Sequence, residues 1–150
     1  MDTINASTPA RICLFGEHQD YLGLDVIAMA ISLRIQITLN NITTGSSTNA
    51  IIIHHPDLEE VEHIAVEYPL VYTKDRDYYK SVLNVLHRNG IVIDKSIEIT
   101  VTSTIPINAG CSSSSALIVC FITFLKKLLE LDFSNSEIAE IAYAAGILTH

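Results

Sequence analysis

Basic residues are scarce in this chain. Nine Lys and Arg stand against 17 Asp and Glu in 150 residues, a formal net charge of −8. Nucleic-acid binding needs a basic face, and none is supplied. Charge of either sign is sparse, 17% of residues, beside a hydrophobic fraction of 49%. Long apolar runs are nevertheless missing. The longest, residues 116–125, is interrupted by Thr123 and stopped by Lys126 and Lys127, too short to span a bilayer. The opening MDTINASTPA has neither a basic nor an apolar segment, so no signal peptide is expected, and a cytoplasmic protein with no membrane partner is. Cysteine is limited to Cys13, Cys111 and Cys120, an odd number without a CxxC. Cys13 and Cys120 sit in apolar runs and read as reduced, buried small hydrophobes. The six histidines are dispersed, none at zinc-finger spacing from a cysteine; His54 and His55 read as solvent-facing.

What is present is periodic. Residues 4–14 read as extended, with a break at Thr8 and Pro9. Residues 26–39 alternate, with Ile31, Leu33, Ile35, Ile37 and Leu39 on one side and Ser32, Arg34, Gln36 and Thr38 on the other, the pattern of a half-buried strand. A turn is expected over 40–49, a strand over 50–54 bounded by Pro56, and a short strand over 61–66. A helix is expected over 77–89, burying Tyr78, Val82, Leu83, Val85 and Leu86 and ended by Gly90; of Tyr78 and Tyr79, one ring is expected in the core and one at the surface. Residues 96–104 alternate again, placing Ile97, Ile99 and Val101 on one face. A loop over 110–115 precedes a long helix to about residue 131, whose apolar face is expected to stay partly exposed. Ser134 and Glu137 fit a capping box ahead of Ile138, Ile141, Ala142, Ala145 and Leu148. That last pattern is still running near His150, so the chain is read as the front portion of a longer protein. Strands first, then a strand-loop-helix unit, indicate an α+β domain.

Chemistry concentrates in two stretches. In RICLFGEHQDY an apolar run stops at Gly16, and Glu17, His18, Gln19 and Asp20 follow within four positions. In PINAGCSSSSALIVC a proline and a small-residue loop precede a helix that begins among four serines. Open backbone N–H groups at a helix start attract anions, reinforced by the helix dipole. Gly110 lets the backbone approach a phosphate. One serine is enough to cap a helix, and four exceed that need; serine hydroxyls also bind phosphate oxygens or ligate Mg²⁺. The loop holds no lysine and no Gly-Lys-Ser/Thr, so it is no Walker A motif.

Both stretches resemble the GHMP small-molecule kinases, the family of galactokinase, homoserine kinase, mevalonate kinase and phosphomevalonate kinase. Pro106, Gly110, Ser112, Ser113 and Ser114 match the family's phosphate loop, and Pro9, Arg11, Gly16, Glu17, His18, Asp20 and Tyr21 match the sugar-kinase signature in register, nearer to galactokinase than to the others. DYYKSVLNVL resembles the helix between them. Cys111 replaces the usual leucine, Asn108 a glycine, Ser115 an alanine, Gln19 a threonine and Leu22 an asparagine. The resemblance implies an N-terminal domain over 1–150 similar to domain 2 of ribosomal protein S5, with a ferredoxin-like domain and the family's catalytic Asp beyond residue 150. It implies ATP and Mg²⁺ as cofactors and a sugar, galactose or a related hexose, phosphorylated at its anomeric hydroxyl. Glu17, His18 and Asp20 would bind sugar hydroxyls, and Arg11 would stabilise the transferring phosphoryl. Pro106, Gly110, Cys111, Ser112, Ser113, Ser114 and Ser115 would cradle the triphosphate, with Ser114 reaching Mg²⁺. The glutamate that many members place in the following helix is missing where this chain reads YAAGILTH; Glu137 and Glu140 lie earlier. Other substrates of the family, or a non-catalytic sugar and ATP sensor, are the alternatives, and residues 1–150 alone are expected to be inactive.

Overall fold

A computed structural model describes residues 3–148. The order is β1 (Asn5–Phe15), a 3-10 turn (Asp20–Leu22), β2 (Ile27–Thr43), β3 (Ala50–His55), a second 3-10 turn (Pro56–Leu58), β4 (Glu60–Ala65), α1 (Tyr78–Arg88), β5 (Ser96–Ser103), α2 (Ser113–Leu128) and α3 (Asn135–Ile147). The strands form one sheet in the order β1-β2-β5-β3-β4. Every pair is antiparallel except β3 with β5, whose connection carries β4 and α1. This is the expected α+β architecture.

The alternation in β2 and β5 does what period-two patterning dictates. Ile35, Ile37, Ile97, Ile99 and Val101 are buried beneath the helices, with Ile51 and Ile53 of β3. The outer face is polar: Arg34 donates to Ser7 Oγ at 2.7 Å, and Asn40 to Thr100 Oγ1 at 2.8 Å. β2 runs four residues past the expected end at Leu39, because an irregularity between Leu39 and Asn41 lets pairing with β5 continue to Thr43. The turn is correspondingly shorter.

α2 lies over β1, where Ala6 and Ala10 are small enough to admit it. Cys120 Sγ is 3.5 Å from the carbonyl of Ala6, and Lys127 Nζ is 2.7 Å from that of Asn5. α1 and α3 cover its other side. Its apolar residues are therefore buried or half-buried, and the expected exposed apolar face is not on this helix. The exposed apolar surface lies instead at the β1–β2 end, on Leu14, Phe15, Leu24, Val26, Ile27 and Met29.

In α1 the buried ring is Tyr79, edge-on to Phe121 at 5.0 Å, while Tyr78, expected on the buried face, is half-buried against the core, so neither ring is at the surface. Asp77 precedes α1 and is buried. The capping box of α3 is complete: Ser134 N–H donates to Glu137 Oε2 at 2.7 Å and Glu137 N–H to Ser134 Oγ at 3.2 Å. The end of that helical pattern, residues 149 and 150, lies outside the described residues. No helix among the described residues is long and apolar enough to cross a membrane.

Candidate active site

β1 delivers the first group. Its register on β2 shifts between Pro9 and Arg11, an irregularity that re-aims the side chains after it. Arg11 and Cys13, two apart, then share one side of the strand. At Gly16 the backbone takes φ +87°, and a Cβ there would meet the carbonyl oxygen of Asp25 at 2.6 Å and Val26 Cα at 3.1 Å. The loop after β1 thus packs directly on the start of β2, and only glycine permits it. His18 also adopts positive φ, +65°, uncommon for a residue with a side chain. Gln19 N–H returns to Gly16 C=O at 3.0 Å, and Gly23 N–H to Asp20 C=O at 3.0 Å. These bonds fold 16–23 into a compact turn that presents Glu17, His18 and Asp20 together.

The second group comes from the loop after β5. Asn108, Gly110 and Ser112 all have positive φ, at 59°, 70° and 54°. Ser112 is the N-cap of α2 yet makes no side-chain cap bond; the first backbone bond into the helix is Ala116 N–H to Ser112 C=O at 3.0 Å. The amides of the first turn are left without a capping side chain, which suits an anion. Among the described residues nothing lies within 4 Å of where a Gly110 Cβ would stand, so that position is glycine for its backbone angle.

The two groups meet. Arg11 N–H donates to the Cys111 carbonyl at 3.3 Å. Arg11, Cys13, Glu17, His18, Asp20, Val26 and Ala28 line one cavity of about 380 Å³ with Gly110 and Ser112. Pro106, Ser113 and Ser114 open into a second cavity of about 470 Å³. Its walls include Leu58, Ile105, Ile107, Leu117 and Tyr78, with Asp57, Arg76 and Asn108 as polar members. The serine cluster therefore divides between two spaces, Ser112 toward the acidic one and Ser113 and Ser114 toward the apolar one. Cys111 and Ser115 line neither; the Cys111 side chain packs against the core and Ser115 is exposed. Sequence reading missed Cys13, Val26 and Ala28 as lining residues; Cys13, expected in the core, is only half-buried because it faces this cavity. The spacing of Cys13 from Arg11 was the available signal. Asp57 and Arg76 carry no sequence pattern that marks them.

His55 reaches the second cavity as well, contrary to its expected solvent-facing position. Its side chain is 15% exposed and its ring lies 5.9 Å from that of Tyr79. Burial pushes the imidazole below its ordinary value near 6.5, outweighing the opposing pull of Glu62, 3.9 Å away. His54 is also partnered, 2.6 Å from Glu98 Oε1 on the outer sheet face. Burial holds the Tyr79 phenol and the Cys120 thiol well up, hence un-ionised.

Among the described residues no group of three His, Cys, Asp or Glu is arranged to hold a metal ion. Ser114 offers one hydroxyl beside the open helix start. That donor set fits Mg²⁺ carried by phosphate oxygens, not a cage built by protein alone. Glu137 is engaged in the capping box, and Glu140 is exposed.

Comparison with known proteins agrees with this geometry. The family model described as GHMP kinases N terminal domain matches residues 77–150, and the galactokinase galactose-binding signature matches residues 2–40. A mevalonate kinase of Pyrococcus abyssi is 31% identical over 156 residues, covering 95% of this chain and 44% of its own length. A galactokinase of Clostridium perfringens is 31% identical over 137 residues, covering 89% and 35%. The chain thus spans less than half the length of either relative. The crystal structure of Lactococcus lactis galactokinase complexed with galactose superposes with a TM-score of 0.85 at 22% identity, over 99% of this chain and 38% of that one. A putative sugar kinase from Campylobacter jejuni gives 0.74 at 26% identity, over 97% and 45%. With the glycine-serine loop and the Gly-Glu-His turn held side by side on this fold, the chain belongs to the GHMP kinase family and corresponds to the N-terminal part of its members.

Proposed function

We propose that this chain is the nucleotide- and acceptor-binding part of an ATP-dependent sugar kinase, galactokinase-like, acting on the anomeric hydroxyl of galactose or a related hexose. The observation that carries the reading is the charge of the smaller cavity: Glu17 and Asp20 bring two carboxylates and Arg11 one cation. A neutral polyol presents many hydroxyls that donate to carboxylates. A hydroxy acid such as mevalonate adds a third carboxylate. At roughly 5 Å and an effective dielectric near 20, one uncompensated like charge costs about 3 kcal/mol.

The residues divide the work accordingly. Glu17, His18 and Asp20 orient the acceptor, a contribution of positioning. Arg11 offers a permanent cation in the cavity that Gly110 and Ser112 also line, where charge develops on the transferring group. Ser113 and Ser114, with the first-turn amides of α2, hold phosphate oxygens, and the apolar second cavity takes a nucleobase. ATP supplies the phosphoryl group and Mg²⁺ neutralises its phosphates when bound. Proton removal from the acceptor belongs to the aspartate that the family resemblance puts beyond residue 150, so Glu17 and Asp20 serve as hydrogen-bond acceptors.

Mevalonate kinase activity is the second reading, because the mevalonate kinase of Pyrococcus abyssi is as similar in sequence as the galactokinase. Calorimetric titration of the chain with galactose and with mevalonate separates the two. Galactose is expected to bind and mevalonate not; the reverse order overturns the sugar reading.

A further inference from the structure

We propose that the opposed pair Cys13 and Ala28 is the specificity-determining floor of the acceptor cavity, fixing the size of acceptor it takes. This rests on the reading of that cavity as the acceptor site. β1 and β2 are antiparallel, and their register sets Cys13 opposite Ala28, Ile12 opposite Met29 and Arg11 opposite Ala30. Because side chains alternate across a sheet, Arg11, Cys13, Ala28 and Ala30 share one side, and Ile12 and Met29 take the other. The cavity lining follows that division: Cys13 and Ala28 line it, while Ile12 and Met29 do not.

Every charged group of the wall comes from Arg11 or from the turn after Phe15. Apart from Arg11, the strands contribute only Cys13 and Ala28, with Val26 just before β2. No aromatic platform underlies the space, apart from the imidazole of His18. The cavity is therefore roomy because its floor is a thiol and a methyl. The thiol is held along the strand by its contact with the Phe15 carbonyl at 3.3 Å, which keeps sulfur low against β1. An acceptor ring lies on this floor with its C–H face down and its hydroxyls turned toward Glu17, His18 and Asp20. A larger residue at either position removes the space a six-carbon acceptor needs, while the nucleotide space, walled by other residues, is untouched. Both positions are in strands and not in the core, so larger aliphatic side chains are compatible with folding.

The test uses the chain itself and Ala28→Leu, Cys13→Leu and, as a control on the opposite side, Met29→Leu. Each is titrated with galactose, with the shorter aldose erythrose and with Mg-ATP, and alkylation of Cys13 by iodoacetamide is followed by peptide mass mapping. In the unaltered chain galactose slows Cys13 alkylation. Each Leu variant loses galactose affinity by roughly ten- to 200-fold, the range by which a pocket discriminates size, and retains erythrose and Mg-ATP. Met29→Leu, outside the cavity lining, retains galactose. Leu variants with unchanged galactose affinity, or an equal loss for both aldoses, overturn the proposal. An unaltered chain whose Cys13 is not protected by galactose, and which binds no galactose, overturns the acceptor reading of the cavity itself and this floor with it.

Discussion

The backbone N–H of Arg11 donates to the carbonyl of Cys111 at 3.3 Å. This bond ties the strand that carries Arg11 to the loop that opens α2. The two loops are then fixed relative to each other by backbone, and side-chain changes within them are expected to act on separate ligands. Asp20→Asn keeps the shape of the acceptor wall and removes its charge. Loss of one charge-assisted hydrogen bond is expected to weaken galactose binding by about 1.5–3 kcal/mol. Ser114→Ala, at the edge of the other cavity, is expected to weaken Mg-ATP binding and leave galactose binding unchanged. Parallel titrations of both variants with both ligands check this; loss of both ligands in Ser114→Ala, with normal folding, makes the serine cluster purely structural.

Gly16→Ala is expected to damage the acceptor turn by two routes. The left-handed angle costs a residue with a Cβ about 1–2 kcal/mol, and the added carbon meets Asp25 O at 2.6 Å, which forces β1 and β2 apart at the cavity. Galactose affinity and melting temperature both fall. Gly110→Ala meets the same angle but no neighbouring atom within 4 Å. It loses only the strain energy of folding, and its binding defect falls on Mg-ATP. Thermal melts with and without each ligand distinguish the two glycines.

The fold was legible where burial enforces a period. The alternation of 31–39 and 97–101 and the capping box at Ser134 and Glu137 each follow from one local rule, and the structure carries them out. Recognition of the two motifs depended on the chemistry of a few residues in order. Hidden from sequence was everything decided by pairing. Tyr79 and not Tyr78 is buried because it is the ring that meets Phe121 of α2, edge-on at 5.0 Å. Cys13 and Ala28 become one surface only through the register of β1 on β2. His55 looked exposed because it follows a polar neighbour at a strand end, but the turn after it folds back and α1 brings Tyr79 against its ring.

Asp77 holds the segment before α1. Its Oδ2 accepts from Thr73 N–H at 3.0 Å and lies 3.4 Å from Lys80 Nζ, while Lys80 also donates to the Val71 carbonyl at 3.1 Å. Asp77 is 1% exposed. Asp77→Ala removes the acceptor of the Thr73 amide and the counter-charge of Lys80, with an expected loss of about 1.5–3 kcal/mol. Chemical denaturation measures it. A loss no larger than that of an exposed Asp94→Ala overturns the network.

The depressed His55 pKa has a definite sign. Burial favours the neutral ring in the folded chain, so the unfolded chain binds the proton more readily. Stability is undiminished above the ordinary value near 6.5 and declines as pH falls below it, until the folded-state value is passed. His55→Gln keeps a polar group against Tyr79 but cannot titrate. The variant is expected to lose less melting temperature than the unaltered chain between neutral pH and about pH 5, and identical pH profiles overturn the assignment. Glu137 runs opposite in origin and the same in direction. Hydrogen bonds from Ser134 lower its carboxyl below the usual range, so its contribution is present above the unfolded value and is lost at more acid pH. Glu137→Gln therefore flattens a lower part of the profile than His55→Gln does.

The apolar surface at the β1–β2 end predicts the solution behaviour of the chain. Phe15 is 70% exposed and Leu24 and Ile27 more than half exposed, side by side where Phe15 pairs with Ile27. A contiguous apolar patch of this kind drives association. Burying one such side chain against a neighbour is worth about 1.5–3 kcal/mol, roughly ten- to a hundredfold in an association constant. The chain is expected to self-associate as its concentration rises. Phe15→Glu combined with Leu24→Glu places two charges on the patch without entering the cavity, whose lining includes neither residue. Sedimentation velocity over a concentration series should show the unaltered chain growing in size and the double variant remaining a monomer, with galactose affinity preserved. Association that persists unchanged in the double variant would shift the sticky surface elsewhere, to the exposed Tyr143 and Ile147 of α3, and Tyr143→Glu would then be the variant that restores the monomer.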